Sequence, residues 1–177
     1  MLQDLLQKPA SKPFLSNPRC SHEEVGSWEK TWGVRLPEGY RTFLLELADG
    51  GRMTGGYTDF VLFPLRRVRA TARAAEPFAL GRSQVQERLA AARHSPTPRP
   101  IFPEFSHAWD EEEEAYPPGC LWIGRYPSFD SLFLVTSGEL RGTVWCGVDG
   151  GLPERAPDGT PMTFVPWLID AYQELCG

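Results

Sequence analysis

Cysteine, histidine and net positive charge are all scarce in this chain, and each scarcity removes a class of function. The four cysteines, Cys20, Cys120, Cys146 and Cys176, are widely scattered, and none belongs to a CxxC pair. A zinc site built on closely spaced thiolates is not expected; reduced, partly buried thiols are. The three histidines, His22, His94 and His107, lie in no HExxH pattern. GxSxG, Walker A, kinase and dinucleotide-binding signatures are missing too, so acid, base and nucleophile cannot be assembled from the sequence and no enzyme is expected. Lysine and arginine together number 18 against 23 acidic residues, leaving a net charge of −5. Nucleic-acid binding needs a basic face and is disfavoured. An acidic protein suits a basic protein partner, although modest negative charge also serves solubility. No apolar run approaches the roughly 18 residues of a membrane span. The opening MLQDLLQKPASKPFLSNP has neither a basic start nor a useful apolar run. A cytoplasmic, monomeric, cofactor-free protein is the expectation.

What the chain does have is a hydrophobic fraction of 41% with six Trp and ten Phe, enough large side chains for a proper core. The stretch WEKTWGVRLPEGYRTFLLELADGG, residues 28–51, organises it. Ser21, with Glu24 three residues on, has capping-box spacing. Val25, Trp28 and Trp32 then share one helical face. Gly33 suits the left-handed residue that ends a helix, and Leu36-Pro37 restarts the chain. Tyr40, Phe43, Leu44 and Leu47 form the stripe of a second helix, which Asp49-Gly50-Gly51 ends. The glycines at 50–56 follow a helix and precede no GK[ST], so they do not read as a phosphate cradle.

This stretch resembles the signature of the SUKH superfamily, which includes a fungal cell-wall synthesis regulator and many bacterial immunity proteins that neutralise toxins. Trp32, Gly33, Leu36, Pro37, Tyr40, Phe43, Leu44, Gly50 and Gly51 carry the resemblance. Asp49 stands where that group more often has Asn. Ile123-Gly124, 132–135 and Gly142-Thr143-Val144 match its later strand pattern. The resemblance covers most of residues 21–177 and is poorest at 66–93. It implies an α+β fold and a protein-binding role, and its matched residues are structural ones.

The remaining segments read as follows. Residues 1–20, broken by Pro9, Pro13 and Pro18, read as a strap preceding a single domain at 21–177. Gly55-Gly56 suggests a turn and 57–65 a strand. Residues 66–75 are helix-prone, and 83–93 form a second helix candidate with Ser83 as N-cap. Their arginines read as a solvated face, not as a nucleic-acid patch. Residues 94–103 are proline-rich and irregular, after which Phe102, Phe105 and Trp109 suggest that the chain packs down again. Residues 120–124, 130–136 and 142–148 read as an antiparallel meander. The middle strand is apolar on both faces, as a strand covered on two sides would be. Residues 149–161 read as a loop. Thr163 then caps a closing helix with the stripe Phe164, Trp167, Leu168, Ala171, Tyr172 and Leu175. The expected fold is α+β: a mostly antiparallel sheet packed with two N-terminal helices and a C-terminal helix.

The candidate site is the most polarised stretch: Trp109, Asp110, Glu111, Glu112, Glu113, Glu114 and Tyr116. Five consecutive carboxylates cannot be buried unpaired. They form either a solvated acidic loop or a steering patch for a basic partner, with Trp109 and Tyr116 as flanking anchors. A calcium site using His107 lacks the spaced ligands and turn glycine it would need. The expected function is an immunity protein that binds a cognate toxin domain, possibly a nuclease. The alternative is a regulatory or scaffold protein of the same fold.

Overall fold

The computed structural model describes residues 17–53, 60–70, 72–92, 101–102, 105, 117–126, 131–147 and 151–176. Helix α1 spans His22–Trp32 and opens with the expected capping box: Glu24 N–H donates to Ser21 Oγ, and Ser21 N–H donates to the Glu24 carboxylate. Gly33 ends it in the left-handed region, at φ 63°. The Gly33–Pro37 hinge is held at both sides. Leu36 N–H donates to Glu29 Oε1 at 2.9 Å, and Arg141 donates to the carbonyls of Arg35, Leu36 and Thr136.

Helix α2, Glu38–Thr42, runs directly into a π-helical turn, Phe43–Leu47. Ala48 N–H reaches back five residues to Phe43 O, at 3.0 Å. The wider turn changes the phase of the stripe. Tyr40, Phe43 and Leu44 are fully buried as expected, but the next fully buried position is Ala48, and Leu47 is half-buried.

Among the described residues, seven strands form one antiparallel sheet: β1 Gly51–Met53, β2 Phe60–Leu62, β3 Arg69–Ala70, β4 Cys120–Arg125, β5 Ser131–Val135, β6 Val144–Cys146 and β7 Leu152–Pro153. The order is β1-β2-β4-β5-β6-β7, with β3 beside β4. Strands β2 and β3 lie one after the other along the edge of β4 that β5 does not use, so seven strands fill six positions. Two glycines permit the crowded approach of β2. A Cβ on Gly124 would lie 2.3 Å from Val61 O, and one on Gly50 (φ 75°) would lie 2.6 Å from Leu62 O.

Alternation along the central strands divides the core in two. Leu121, Ile123, Leu132, Leu134 and Val144 face a cluster with Val25 and Trp28 of α1, Tyr40, Phe43 and Leu44. Helix α4, Phe164–Cys176, completes that cover with Phe164, Trp167, Leu168, Ala171 and Tyr172. Cys120, Phe133, Val135 and Trp145 belong to a second cluster with Phe78, Leu80, Phe102, Phe105, Leu140 and two residues of helix α3 (Arg82–Ala92), Val85 and Leu89. The sheet is therefore a middle layer. Trp145 is the hub of the second side. Its ring stacks on Phe105 (4.9 Å, 7°) and meets Phe102 edge-on (5.0 Å), while Nε1–H donates to Thr143 Oγ1.

Several expectations need correction. Residues 66–75 are not a helix: two single 3₁₀ turns, Leu65–Arg67 and Ala72–Ala75, flank β3. Pairing with β4 outweighs local helix propensity there. Ser83 is not the N-cap of α3. Gly81 precedes the helix, with its N–H on Gln84 Oε1, and Arg82 N–H donates to the distant Glu139 carboxylate. The segment 149–161 is not wholly loop, because β7 pairs with β6 and Arg155 bridges Pro161. Of the strand expected at 57–65, Phe60–Leu62 is extended and Leu65 already turns; 57–59 and the glycine turn at 55–56 lie outside the described residues. The strap at 1–20 is described only from Asn17, with Cys20 buried and its N–H bonded to Leu44 O.

Candidate functional site

The expected site, Trp109, Asp110, Glu111, Glu112, Glu113, Glu114 and Tyr116, lies outside the described residues, as does His107. Phe102 and Phe105 do pack down, and Pro117 on the far side of the run is also buried.

Within the described residues, a surface groove of about 530 Å³ lies between α1 and the Leu65–Arg67 turn. One wall is a strip of α1 at helical spacing: Glu23, Glu24, Ser27, Trp28, Thr31 and Trp32. Cys20, Asp49, Leu65 and Arg66 complete it. Ser27 and Thr31 are small, and Thr31 Oγ1–H turns back onto Ser27 O, which leaves the groove open. Trp28 is only 9% exposed and forms part of the core. Trp32, one turn on, is 41% exposed, and the two rings lie 6.2 Å apart. The periodicity placed both tryptophans on one face; it could not show that the core ends between them.

At the inner end of this groove, Asp49 joins three segments. Its Oδ1 accepts Leu65 N–H at 2.6 Å, its carbonyl accepts Asn17 Nδ2–H at 2.8 Å, and its carboxylate accepts a hydrogen bond from the Cys20 thiol. Burial, followed by the charge and hydrogen bond of Asp49, pushes the Cys20 thiol up to about 12. Burial alone raises the Cys120 thiol well above its ordinary value. Both are held as thiols, the opposite of an activated nucleophile. Tyr40, fully buried beside this cluster, is also shifted up, first by burial and then by Asp49. The Asp-Gly-Gly that follows the π-helical turn is thus the joint between the helical hairpin and the first strands.

A sequence profile of the SMI1 / KNR4 family (SUKH-1) matches residues 19–160, which contain this hairpin, its joint and the whole sheet. The chain belongs to that family. No curated protein and no solved structure matched it. The SUKH-1 match stops before α4, yet the fold requires that helix: Phe164 meets Tyr40 edge-on at 4.9 Å and Phe43 at 5.2 Å.

A second polar cluster, not anticipated from the sequence, lies at the other end of this SUKH-1 sheet. Tyr126 O–H donates to Glu154 Oε1 at 2.9 Å. Burial raises the Glu154 carboxyl; the Tyr126 hydrogen bond opposes that shift, and Glu174 and Asp170 on α4 add to it. The Tyr126 phenol is raised mainly by burial. The two residues are 28 positions apart, so no local pattern announced them. Among the described residues, no three His, Cys, Asp or Glu side chains gather as metal ligands. No helix among them is long and apolar enough to cross a membrane.

Proposed function

We propose that this chain acts by binding another protein, as an immunity-type member of its family that neutralises a cognate toxin domain by direct association. Family membership across residues 19–160 is the observation that carries this reading. The superfamily includes immunity proteins and regulators. The partner is a basic protein. In support, the chain carries a net charge of −5 and five consecutive carboxylates at 110–114. Such a run raises the association rate and the specificity more than it raises affinity. In this proposal Trp109 and Tyr116 flank it as anchors, within one domain at 21–177, and the toxin's active surface is blocked without catalysis.

The test is affinity capture from the protein's own cells, with wild type beside a variant carrying Glu111, Glu112, Glu113 and Glu114 as Gln. One dominant toxin-like partner, weakened in the variant and by salt, is the expected result. An equally held partner would keep the function and remove the acidic run from it. Several host proteins held by both forms would make the chain a scaffold or regulator, the other role found in the superfamily.

A further inference from the structure

We infer that the groove along α1 is a docking surface for an arginine-bearing segment of a protein partner. This rests on the protein-binding reading above and assigns it a surface. Trp32 is the one large apolar side chain exposed among the described residues. It sits on a helix whose other large apolar residues, Val25 and Trp28, are buried. A half-exposed indole beside a second indole gives a flat, polarisable platform, and tryptophan is the side chain most enriched at binding hot spots.

The charge around the platform selects the guest. Glu23, Glu24 and Asp49 line the groove against one cation, Arg66. Asp49 is occupied by Leu65 N–H and the Cys20 thiol, and Glu24 caps its own helix. Glu23 is exposed on the groove wall, one helical turn from Ser27 and two from Thr31. Phosphates and carboxylates are repelled here. A guanidinium fits best, because its planar face stacks on indole while its edge donates to a carboxylate. Lysine offers a point charge without the stacking face. The small groove-facing residues Ser27 and Thr31 supply the room.

The test is a titration of the ¹⁵N-labelled full chain with a capped tetra-arginine peptide, followed through its tryptophan indole N–H signals. A capped tetra-glutamate peptide serves as control. The Trp28 and Trp32 signals should move saturably with the arginine peptide, less at high salt, and stay still with the control. Trp32→Ala should weaken the apparent Kd at the groove roughly tenfold, and Glu23→Gln by about threefold. Both positions are exposed, so unchanged melting curves separate lost binding from lost folding. Still signals at Trp28 and Trp32, or an unchanged Kd in Trp32→Ala, would overturn the assignment. So would concentration-dependent dimerisation abolished by Trp32→Ala, which would give the face to a second copy. If a captured toxin-like partner is held equally by Trp32→Ala, the surface is wrong and the function stands. If no partner is captured while the peptide still binds at Trp32, the immunity reading fails and the groove remains.

Discussion

The two faces of the sheet are covered by different means. On one face, three helices bring apolar stripes: Val25 and Trp28, then Tyr40, Phe43 and Leu44, then Phe164, Trp167 and Leu168. On the other, among the described residues, helix α3 contributes Val85 and Leu89, and much of the cover is Phe78 and Phe102 from irregular chain and Phe105 in 3₁₀ conformation. Regular elements bury their own backbone hydrogen bonds, whereas irregular chain must find partners elsewhere. Here they come from the β5–β6 connection. Thr136 Oγ1 lies 2.9 Å from both Ala74 O and Gly119 O, Ser137 Oγ accepts Phe78 N–H, and Glu139 accepts Arg82 N–H. The helical face is held by periodic packing; the aromatic face is stitched down by a few long-range polar bonds.

Breaking the helical face should be the more damaging. Leu44→Asp puts a charge among fully buried Tyr40, Phe43 and Leu36 and should cost more than about 4 kcal/mol. Circular dichroism should show no cooperative melt; an unchanged Tm would refute the packing described for the π-helical turn after α2. On the aromatic face, Phe105→Ala removes the ring stacked on Trp145 and should cost about 3–5 kcal/mol. Hydrogen exchange should then rise at α3 before α1, and simultaneous loss at both helices would mean that the faces do not open separately. Gly124→Ala strains the sheet between them, because the added Cβ meets Val61 backbone and not a flexible side chain. A loss of about 1–3 kcal/mol is expected, with exchange concentrated in β2.

The smallest effect should come from Glu154→Gln. Burial raises this carboxyl in the folded state, so between the unfolded value and the folded one the native protein holds the extra proton. Its charge therefore removes stability as pH rises through that window. Glutamine keeps an acceptor for Tyr126 and loses the buried charge. Its Tm should equal or exceed wild type by up to about 3 °C at pH 7, with the gain vanishing on acidification. A large drop at pH 7 would mean that the Tyr126–Glu154 bond needs the carboxylate.

The difference between the faces also explains which of them could be read from the chain. The capping box of Ser21 and Glu24, the Gly33 stop, the Tyr40-Phe43-Leu44 stripe, the central strands and the closing helix all follow from spacings of two to four residues. Those local signals also carried the family resemblance. The candidate site was less legible. The acidic run at 110–114 stands out by charge alone, while the groove needed Trp28 and Trp32 to be told apart. Both have the same residue type and the same helical phase, and only the rest of the fold leaves one buried and the other exposed.

The sequence by itself determined the helical hairpin, the meander and the closing helix, because caps and apolar periodicity act within one or two turns of chain. Tertiary structure alone decided β1, β3 and β7, each too short to show a period, and the π-helical phase shift after Thr42. It also decided the aromatic second core and its stitching, four of whose bonds join residues 57 to 62 positions apart. Those bonds form only once the sheet has brought their partners together, so no local pattern of residues can announce them.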